Sequence, residues 1–350
     1  MRIWMGPKYN DTNMYNQLLS ESLEGIGLEV NDVKRKQFSK LQRGDVLHVH
    51  WIHPLYQNNN LLLFLVRSLI MVLVFSFLRM KGVVLIWTIH NLYPHQHKFP
   101  RLEKLVRKTF IMLCSKCVTA SHFIKKQVVE VFGANPDKIA VIPHGHYQGV
   151  YQHQGKNYRE VYGIPEDGYV YLFIGAIKPY KGVQQLVESF NRIKSENTYL
   201  VIAGKPTKDM EEYLSRYQGQ HQIILDLRFV PDEEVADIIS MCDSFVLPFQ
   251  EITTSGSAIL ALSFKKPIVI PKTPFVDEYF TPEIASIYDP QKGELLETAM
   301  EQVRRVEADK VEPVYEQILA RLDWKNIALQ LSEIYQNRPA AQVSRAFDKS

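Results

Sequence analysis

Short apolar runs alternate with longer amphipathic stretches along most of the chain. In the first half, the apolar runs predict strands near 2–6, 28–33, 46–51, 83–89, 117–120 and 139–142. Helical spacing falls between these runs, near 12–25, 60–80, 100–114 and 122–132. Strands that are almost entirely apolar and are separated by helices are typical of a parallel sheet with both faces covered. The first half is therefore predicted to be a doubly wound α/β domain.

The same alternation begins again after a polar, Tyr-rich segment at 148–168, which we interpret as an interdomain linker leading into a short helix. Beyond it, the pattern predicts strands at 169–174, 199–203, 223–229, 244–247 and 267–270. The predicted helices lie at 182–194, 208–217, 232–242, 257–264 and 314–336.

This repetition predicts two Rossmann-like domains, one over residues 1–150 and one over 151–336, with the last helix packing back on the first domain. We expect residues 337–350 to form a flexible tail. In such folds ligands bind at the carboxyl ends of the strands, so we expect a ligand cleft between the two domains.

One predicted helix is apolar enough to raise the question of a membrane span. Leu61–Met80 is twenty residues long, and only Arg67, Ser68, Ser76 and Arg79 interrupt its apolar sequence. Predicted strands flank it closely on both sides, whereas a span would separate those strands across the membrane. We therefore favour a core helix that faces a membrane in part.

The net charge of the chain is only +3, but the two halves carry net charges of opposite sign. Residues 1–150 contain 19 Lys and Arg against 9 Asp and Glu, whereas residues 151–350 contain 22 against 29. The basic half shows no aromatic interleaving or motif of a nucleic-acid reader, so we expect no nucleic acid as a partner. The overall composition, 46% hydrophobic and 23% charged, excludes a disordered or fibrous chain.

The cysteines and the first residues bear on the compartment. Cys114, Cys117 and Cys242 are too few for a disulfide framework, and the first two form a C-x-x-C without further metal ligands at a suitable spacing. We interpret them as semi-buried thiols. Since the first residues also lack the apolar run of a signal peptide, we expect a cytoplasmic protein.

Two runs in the second half contain residues suited to binding phosphate. In Phe173–Gly182, a strand ends at Gly175, a tight turn carries Lys178 and Lys181, and a helix follows. Two ammonium groups beside a helix N-terminus suit a diphosphate, although a solvated turn would have the same sequence. In Leu247–Ala258, a strand leads into a hydroxyl-rich loop that opens a helix, so the loop either binds an anion or caps the helix.

These runs belong to an ordered series of motifs: F-x-G-x-x-x-x-Y-K-G, L-x-I-A-G, V-P-x-x-E, L-P-F-x-E-x-x-x-S-G-S and K-P-I-V. Over about 170–272, the series resembles the C-terminal domain of GT-B glycosyltransferases of the family-4 type. The resemblance extends more loosely to His48–Trp51, Trp87–Asn91 and Ile142–Gly145. It implies an acceptor-side domain over 1–150 and a nucleotide-sugar-binding domain over 151–336.

The resemblance also implies an activity. It is the transfer of a hexose from a nucleoside-diphosphate sugar, such as GDP-mannose or UDP-glucose, to a hydroxyl of a glycan or lipid-linked acceptor. The expected reaction is retaining and belongs to polysaccharide biosynthesis. The alternative is a catalytically inactive nucleotide-binding subunit of another transferase, because the family's usual arginine falls on Ala176 and its second glutamate falls on Ile259 or Leu260.

Site residues carry over from the matching motifs. Lys181 matches the lysine of the K-G element, and Lys178 takes the place of the missing arginine. The predicted donor-binding residues are Gly175, Lys178, Lys181, Gly204, Arg228, Phe229, Val230, Glu251, Ser255, Gly256 and Ser257. The predicted catalytic residues are His90, Lys181 and Glu251, and the predicted acceptor-side residues are Asn13, His95 and His144. If the reaction is inverting, the base candidates are Asp11, His90 and His95.

The histidines of the first half raise the question of a metal. Eight of them lie near predicted strand ends: His48, His50, His53, His90, His95, His97, His144 and His146. They lack the carboxylate or cysteine partners of a zinc site, and the resemblance implies lysines and helix dipoles in place of a metal. We therefore expect no metal cofactor and interpret the histidines as polar residues of the cleft.

A basic helix face in the first half suggests a membrane partner. Arg101, Lys104 and Lys108 recur at i, i+3 and i+7 on the helix predicted at 100–114. Such a face suits either contact with anionic lipid on the inner face of the plasma membrane or simple solvation.

Overall fold

The computed structural model describes residues 1–10, 14–94, 98–250 and 255–336. The chain divides into two compact units. One comprises Met1–Gly145 together with the chain from Leu322 onward, and the other comprises His146–Arg321.

The first unit contains a six-stranded parallel sheet in the order β2-β1-β3-β4-β5-β6. The strands are β1 (Arg2–Gly6), β2 (Glu29–Asp32), β3 (Val46–Val49), β4 (Val84–Thr88), β5 (Lys116–Thr119) and β6 (Ile139–Val141). The helices between them are α1 (Tyr15–Gly25), α2 (His53–Tyr56), α3 (Leu61–Met80), α4 (Pro100–Leu113) and α5 (His122–Phe132). The strand order reverses between β1 and β3, which is where doubly wound sheets bind ligands.

The second unit repeats this architecture with the order β12-β11-β10-β7-β8-β9. The strands are β7 (Tyr169–Ile174), β8 (Thr198–Ala203), β9 (Ile223–Asp226), β10 (Ser244–Val246), β11 (Ile268–Pro271) and β12 (Ala285–Tyr288). The helices are α6 (Tyr158–Tyr162), α7 (Val183–Ile193), α8 (Lys208–Leu214), α9 (Asp232–Ser240), α10 (Gly256–Ser263), α11 (Pro274–Tyr279), α12 (Leu296–Val303) and α13 (Ala308–Arg321). The predicted fold class, two doubly wound α/β units, is confirmed.

The single helix predicted over 314–336 is wrong, because the chain forms two helices there: α13 and α14 (Trp324–Gln336). The carboxylate of Asp323 accepts a hydrogen bond from the backbone N–H of Asn326, which caps a new helix start. The apolar face of α14 packs on α1 in the first unit, where Trp324 meets Tyr15 edge-on with ring centres 5.5 Å apart. The chain passes from the second unit to the first at Leu322. This explains why a helix ends there although the apolar pattern continues.

Helix α3 is a crossover connection, because the strands on either side of it pair in parallel within one sheet. Its buried stripe consists of Phe64, Ser68, Met71, Phe75 and Leu78. The expected helix thus contributes this stripe to the core, and 28% of its most apolar window is buried. This helix alone, among those described, is long and apolar enough to cross a membrane.

Candidate active site

In the second unit, the turn after β7 and the chain after β10 lie against each other. The backbone N–H of Gln250 donates to the carbonyl of Tyr180 at 3.0 Å. Gly182 ends the turn with φ +72°, and a Cβ at this position would lie 1.9 Å from the carbonyl oxygen of Pro248. Only glycine permits this approach, which places the lysines of the turn beside the Leu247–Gln250 loop at the switch point of the sheet.

Lys181 lies in this contact. Its Nζ is 4.2 Å from the centre of the Phe249 ring, a cation–π geometry. Burial, and then the charge of the neighbouring Lys178, lower the pKa of Lys181 to about 8. Within the described residues, no carboxylate forms an ion pair with Lys178 or Lys181. Two nearby cations, one of them desolvated and neither paired with a carboxylate in the described part of the chain, favour the binding of an anion.

The glycines at the ends of β7 and β8 allow a second close approach. Gly204 has φ +147°, and a Cβ there would lie 1.9 Å from the carbonyl oxygen of Gly175. Ser257, in the first turn of α10, donates to the carbonyl of Ile174 at 3.3 Å. These contacts bring the start of α10 to the end of β7, so Gly175, Gly204 and Ser257 lie at one edge of the sheet.

The hydroxyl of Ser255 caps α10. It accepts a hydrogen bond from the N–H of Ala258 at 3.2 Å, and the residue is 5% exposed. Capping is therefore what the Ser255 hydroxyl does in this structure, and the exposed Gly256 presents backbone rather than a side chain to solvent.

The segment predicted to contact a nucleobase follows β9. Arg228 is held by two carboxylates, with Nε 2.8 Å from Asp226 and Nη2 bonded to Glu234. The hydrogen bond to Glu234, together with the charge of Asp226, raises the pKa of Arg228. Phe229 is 62% exposed and Val230 is half-buried. The guanidinium of Arg228 is thus engaged by carboxylates of the protein although its side chain is exposed, and the ring of Phe229 is exposed beside it.

In the first unit, three of the predicted histidines form a row at the ends of β3 and β4, of which His48 and His50 are buried. His48 lies between the hydroxyls of Tyr335 and Thr88, 2.7 Å from each. Nδ1 of His50 lies 3.2 Å from Nε2 of His90. Burial lowers the pKa of His48 and of His90 to about 3 and places that of His50 well below its ordinary value. All three rings are therefore neutral at physiological pH.

His90 and His144 both contact the ring of Tyr15. The centre of the Tyr15 ring is 5.2 Å from that of His90 and 4.7 Å from that of His144. His90 also stacks on Trp51, with ring centres 4.9 Å apart. His144 is 8% exposed, and burial lowers its pKa to about 4. His90 is half-buried, which makes it the more accessible of the two.

A cavity of about 250 Å³ opens beside His90. Its lining includes Trp51, His53, Trp87 and Arg107. Arg107 is 3% exposed, in contrast to the exposed basic residues of the same helix, and the sequence analysis did not single it out. The sequence signal that could have identified Arg107 is its position four residues after Glu103. This spacing places both residues on one face of the helix, and Glu103 is 1% exposed.

Several predicted residues lie outside the described part of the chain: Asp11, Asn13, His95, His97 and Glu251. Among the residues that are described, no cluster of three or more His, Cys, Asp or Glu is placed to hold a metal ion. The three cysteines are unpaired and fully buried, rather than semi-buried as expected.

Two family profiles match the chain. The profile described as "Glycosyltransferase Family 4" matches residues 33–146, and that described as "Glycosyl transferases group 1" matches residues 154–313. A mannosyltransferase of Xanthomonas campestris pv. campestris, GDP-mannose:glycolipid 4-beta-D-mannosyltransferase, is 27% identical over 237 residues. This alignment covers 66% of the chain but only 62% of the length of that relative.

Solved structures resemble the whole chain in fold. Sucrose-phosphate synthase from Thermosynechococcus elongatus superposes with a TM-score of 0.72 at 16% identity, covering 96% of this chain and 98% of its own. The Anabaena protein HepE, solved in complex with UDP, superposes with a TM-score of 0.70 at 13% identity, covering 96% and 100%. At these identities the likeness establishes the GT-B fold.

Proposed function

Because this chain belongs to the GT-B glycosyltransferases of the family-4 type, we propose that it transfers a hexosyl group from a nucleoside-diphosphate sugar to a hydroxyl of a glycan or lipid-linked acceptor. The observation that carries the proposal is the lysine pair beside the Leu247–Gln250 loop. Lys178 and Lys181 have no described carboxylate as a partner, and they lie at the switch point of the second sheet. A diphosphate supplies the countercharge that this position lacks.

The reaction breaks the bond between the sugar carbon and the diphosphate oxygen while the acceptor oxygen bonds to that carbon. Negative charge grows on the leaving diphosphate, so cations already held in place stabilise the transition state more than the ground state. We assign this role to Lys181, with Lys178 beside it. Gly175, Gly204 and Ser257 supply a closely packed backbone edge next to the lysines, and the exposed ring of Phe229 provides a surface for the base.

His90 is proposed to contact the donor sugar. Its ring is neutral and half-buried, and since Nε2 already contacts Nδ1 of His50, we assign the contact with the sugar to Nδ1, which donates or accepts one hydrogen bond without carrying a charge. A pKa of about 3 makes it a poor general base near pH 7. This supports the expected retaining reaction, in which the leaving phosphate takes the acceptor proton. Inversion would instead assign the base to Asp11 or His95.

The donor is proposed to be a nucleoside diphosphate hexose such as GDP-mannose or UDP-glucose. The Xanthomonas relative is named for GDP-mannose, and HepE was solved with UDP. A thermal-shift panel of GDP, UDP, ADP and their hexose conjugates tests this directly. We expect one nucleotide series to raise the melting temperature and its sugar conjugate to be hydrolysed slowly. The proposal fails if no nucleoside diphosphate binds, whereas binding without hydrolysis or transfer to any acceptor would favour the inactive partner subunit.

We further propose that the first unit docks on an anionic membrane at the cytoplasmic face, where a lipid-linked acceptor would be presented. The outer face of α3 exposes large apolar side chains: Leu62, Leu65, Val66, Leu69, Ile70, Leu73, Phe77 and Met80. Helix α4, which packs against α3, exposes Arg101, Lys104 and Lys108 next to exposed Leu105 and Met112. Apolar residues bordered by basic ones are the surface that an interfacial helix presents to anionic lipid.

A further inference from the structure

The cavity beside His90 has a lining that the donor site does not explain. Trp51 follows β3, His53 begins α2, Trp87 and His90 lie at and just beyond the end of β4, and Arg107 comes from α4. Its volume of about 250 Å³ lies just below the ~300 Å³ at which small-molecule sites begin, so it suits a single sugar-sized group. Aromatic rings make up much of its wall.

Arg107 is the charged residue of this lining. Nε donates to the hydroxyl of Tyr56 at 3.1 Å, and Nη1 donates to the backbone carbonyl of Asn91 at 3.2 Å. A guanidinium has five N–H groups, and within the described residues the other three have no hydrogen-bond partner. Because Arg107 lines the cavity, these N–H groups are available to a ligand that occupies it.

Glu103 and Tyr56 hold the guanidinium of Arg107 at its Nε atom. Glu103 lies 3.5 Å from Nε of Arg107 and accepts a hydrogen bond from the hydroxyl of Tyr56 at 2.7 Å. Glu103 is not part of the cavity lining, whereas Arg107 is. The result is a positive, forked donor that faces the cavity and has lost its freedom to move, which is the arrangement that binds carboxylate or phosphate with two parallel hydrogen bonds.

A buried ion pair contributes little net stability, because the cost of removing both charges from water offsets their attraction. The ion pair with Glu103 is therefore not by itself a reason for an arginine at this position. Two of the three histidines that share the lining, His50 and His90, are neutral, whereas the guanidinium of Arg107 carries a permanent positive charge there.

We propose that this cavity is an acceptor subsite in which Arg107 binds an anionic oxygen group of the acceptor, either the carboxylate of a sugar acid or a phosphate. The inference rests on the proposed function, because it is the glycosyl acceptor that would bring this group beside His90. It adds the chemical class of the acceptor, which neither the lysine pair nor the resemblance specifies.

Fluorine NMR of the full chain labelled with 5-fluorotryptophan tests the subsite. The chain has 4 tryptophans, of which Trp51 and Trp87 line the cavity, while Trp4 is hydrogen-bonded to Asp45 elsewhere in the first unit. The probes are methyl glucuronide, glucose 6-phosphate and the neutral methyl glucoside. We expect an anionic sugar to shift the Trp51 and Trp87 signals with roughly tenfold higher affinity than the neutral one, while Trp4 stays unchanged.

The probe that binds tighter identifies the source: glucuronide indicates a sugar acid, and glucose 6-phosphate indicates a phosphate. Equal affinity for all three probes, or no shift of Trp51 and Trp87, overturns the inference. GDP and UDP binding, followed in the same samples, separates this outcome from failure of the proposed function, since nucleotide binding that persists without an anion preference refutes the subsite alone.

A double variant adds a second line of evidence. Glu103→Gln with Arg107→Gln removes both charges together, so no uncompensated charge is left buried, and we expect the preference for anionic sugars to vanish. If this variant does not fold, Arg107→Lys keeps the charge but loses the fork, and it should retain the preference with weaker binding. An undiminished preference in the folded double variant contradicts the role of Arg107.

Discussion

The Nζ atom of Lys181 lies 4.2 Å from the centre of the Phe249 ring, which joins the turn after β7 to the chain after β10. The ring face attracts the cation but supplies no counter-anion, and burial still lowers the pKa of this lysine to about 8. The ammonium group is thus positioned before any ligand arrives and is only partly compensated. Preorganised charge of this kind contributes most where negative charge develops during a reaction.

The first prediction concerns this lysine. Lys181→Ala should cost about 2–4 kcal/mol of transition-state stabilisation, because it removes a positioned cation from the leaving diphosphate. Lys178→Ala should cost less, since Lys178 is exposed and its charge is better screened. The measurement is kcat/KM for donor hydrolysis or transfer. Lys194→Ala, an exposed lysine at the other end of α7, is the control and should leave the rate unchanged. Full activity in both Lys178→Ala and Lys181→Ala would refute the diphosphate assignment.

Nucleotide affinity should depend on pH through the same lysine. In the free protein, Lys181 loses its proton near pH 8, whereas a bound diphosphate favours the charged form and raises the pKa. Binding therefore takes up a proton above about pH 8, and affinity should fall by up to about tenfold per pH unit there. Calorimetry of GDP and UDP between pH 7 and 9.5 measures this.

The Lys178→Ala variant is the internal check. The charge of Lys178 is the second cause of the lowered pKa, so its removal should move the fall in affinity to higher pH. Affinity that is constant across this pH range would mean that Lys181 does not touch the diphosphate. The free energy of unfolding should change in the opposite direction. The unfolded chain keeps this proton up to about pH 10.4, so the contribution of Lys181 to the free energy of unfolding rises as the pH increases from about 8 toward that value.

Gly182→Ala should disrupt the same contact through the backbone. A Cβ 1.9 Å from the carbonyl of Pro248 cannot be accommodated, so the turn must move away from the β10 loop. We expect nucleotide binding to be lost, with about 1–3 kcal/mol of lost stability in thermal unfolding. Gly163→Ala is the matched control, because Gly163 also has a positive φ of +67° but has no atom within 4 Å of the added Cβ. It should lose about 1–2 kcal/mol of stability and keep nucleotide binding; equal loss of binding in both would contradict the role of the close approach.

Much of the fold was predictable because its strands are buried on both faces. Continuous apolar runs such as Val170–Ile174 and Leu200–Ala203 give nearly the strand bounds that the structure has. Strand β12 and helices α11 and α12 were missed because each is short, although α12 buries Leu296, Ala299, Met300 and Val303 at helical spacing. The break between α13 and α14 was missed because both helices are amphipathic, and the sequence does not indicate that they pack on different units.

The candidate site was predictable where glycines and lysines share a turn. Gly175, Lys181 and Gly204 lie at the strand ends where the motifs placed them, although their roles remain predictions. What sequence could not provide was pairing between distant side chains. The sequence around Arg228 does not show that its guanidinium forms ion pairs with Asp226 and Glu234. Nor does the sequence around His50 show that its ring contacts that of His90.

Transfer activity should survive removal of divalent cations. Lys178 and Lys181 supply the charge that a metal would otherwise bring to the diphosphate, so excess EDTA should leave the rate within about twofold of that with added magnesium. The measurement is turnover after chelation and dialysis, with magnesium restored in parallel. If activity requires an added divalent ion, a metal rather than Lys181 supplies the main positive charge that stabilises the leaving diphosphate.

The last prediction concerns α3 and α4 at a membrane. Vesicle co-sedimentation should show binding that increases with phosphatidylglycerol content and weakens with salt, since each basic residue near an anionic surface contributes about 1 kcal/mol. Charge reversal of Arg101, Lys104 and Lys108 to Glu should abolish the preference for anionic lipid. Replacing Leu69 and Leu73 with Asn should weaken binding to every vesicle, because both leucines are exposed on α3.

The control for this experiment is a charge reversal in the second unit. It replaces three exposed lysines, Lys194, Lys208 and Lys292, with Glu and so changes the net charge equally. If both triple reversals weaken binding alike, net charge rather than this surface attracts the protein; if wild-type protein binds neutral and anionic vesicles equally, or binds neither, the surface serves another partner.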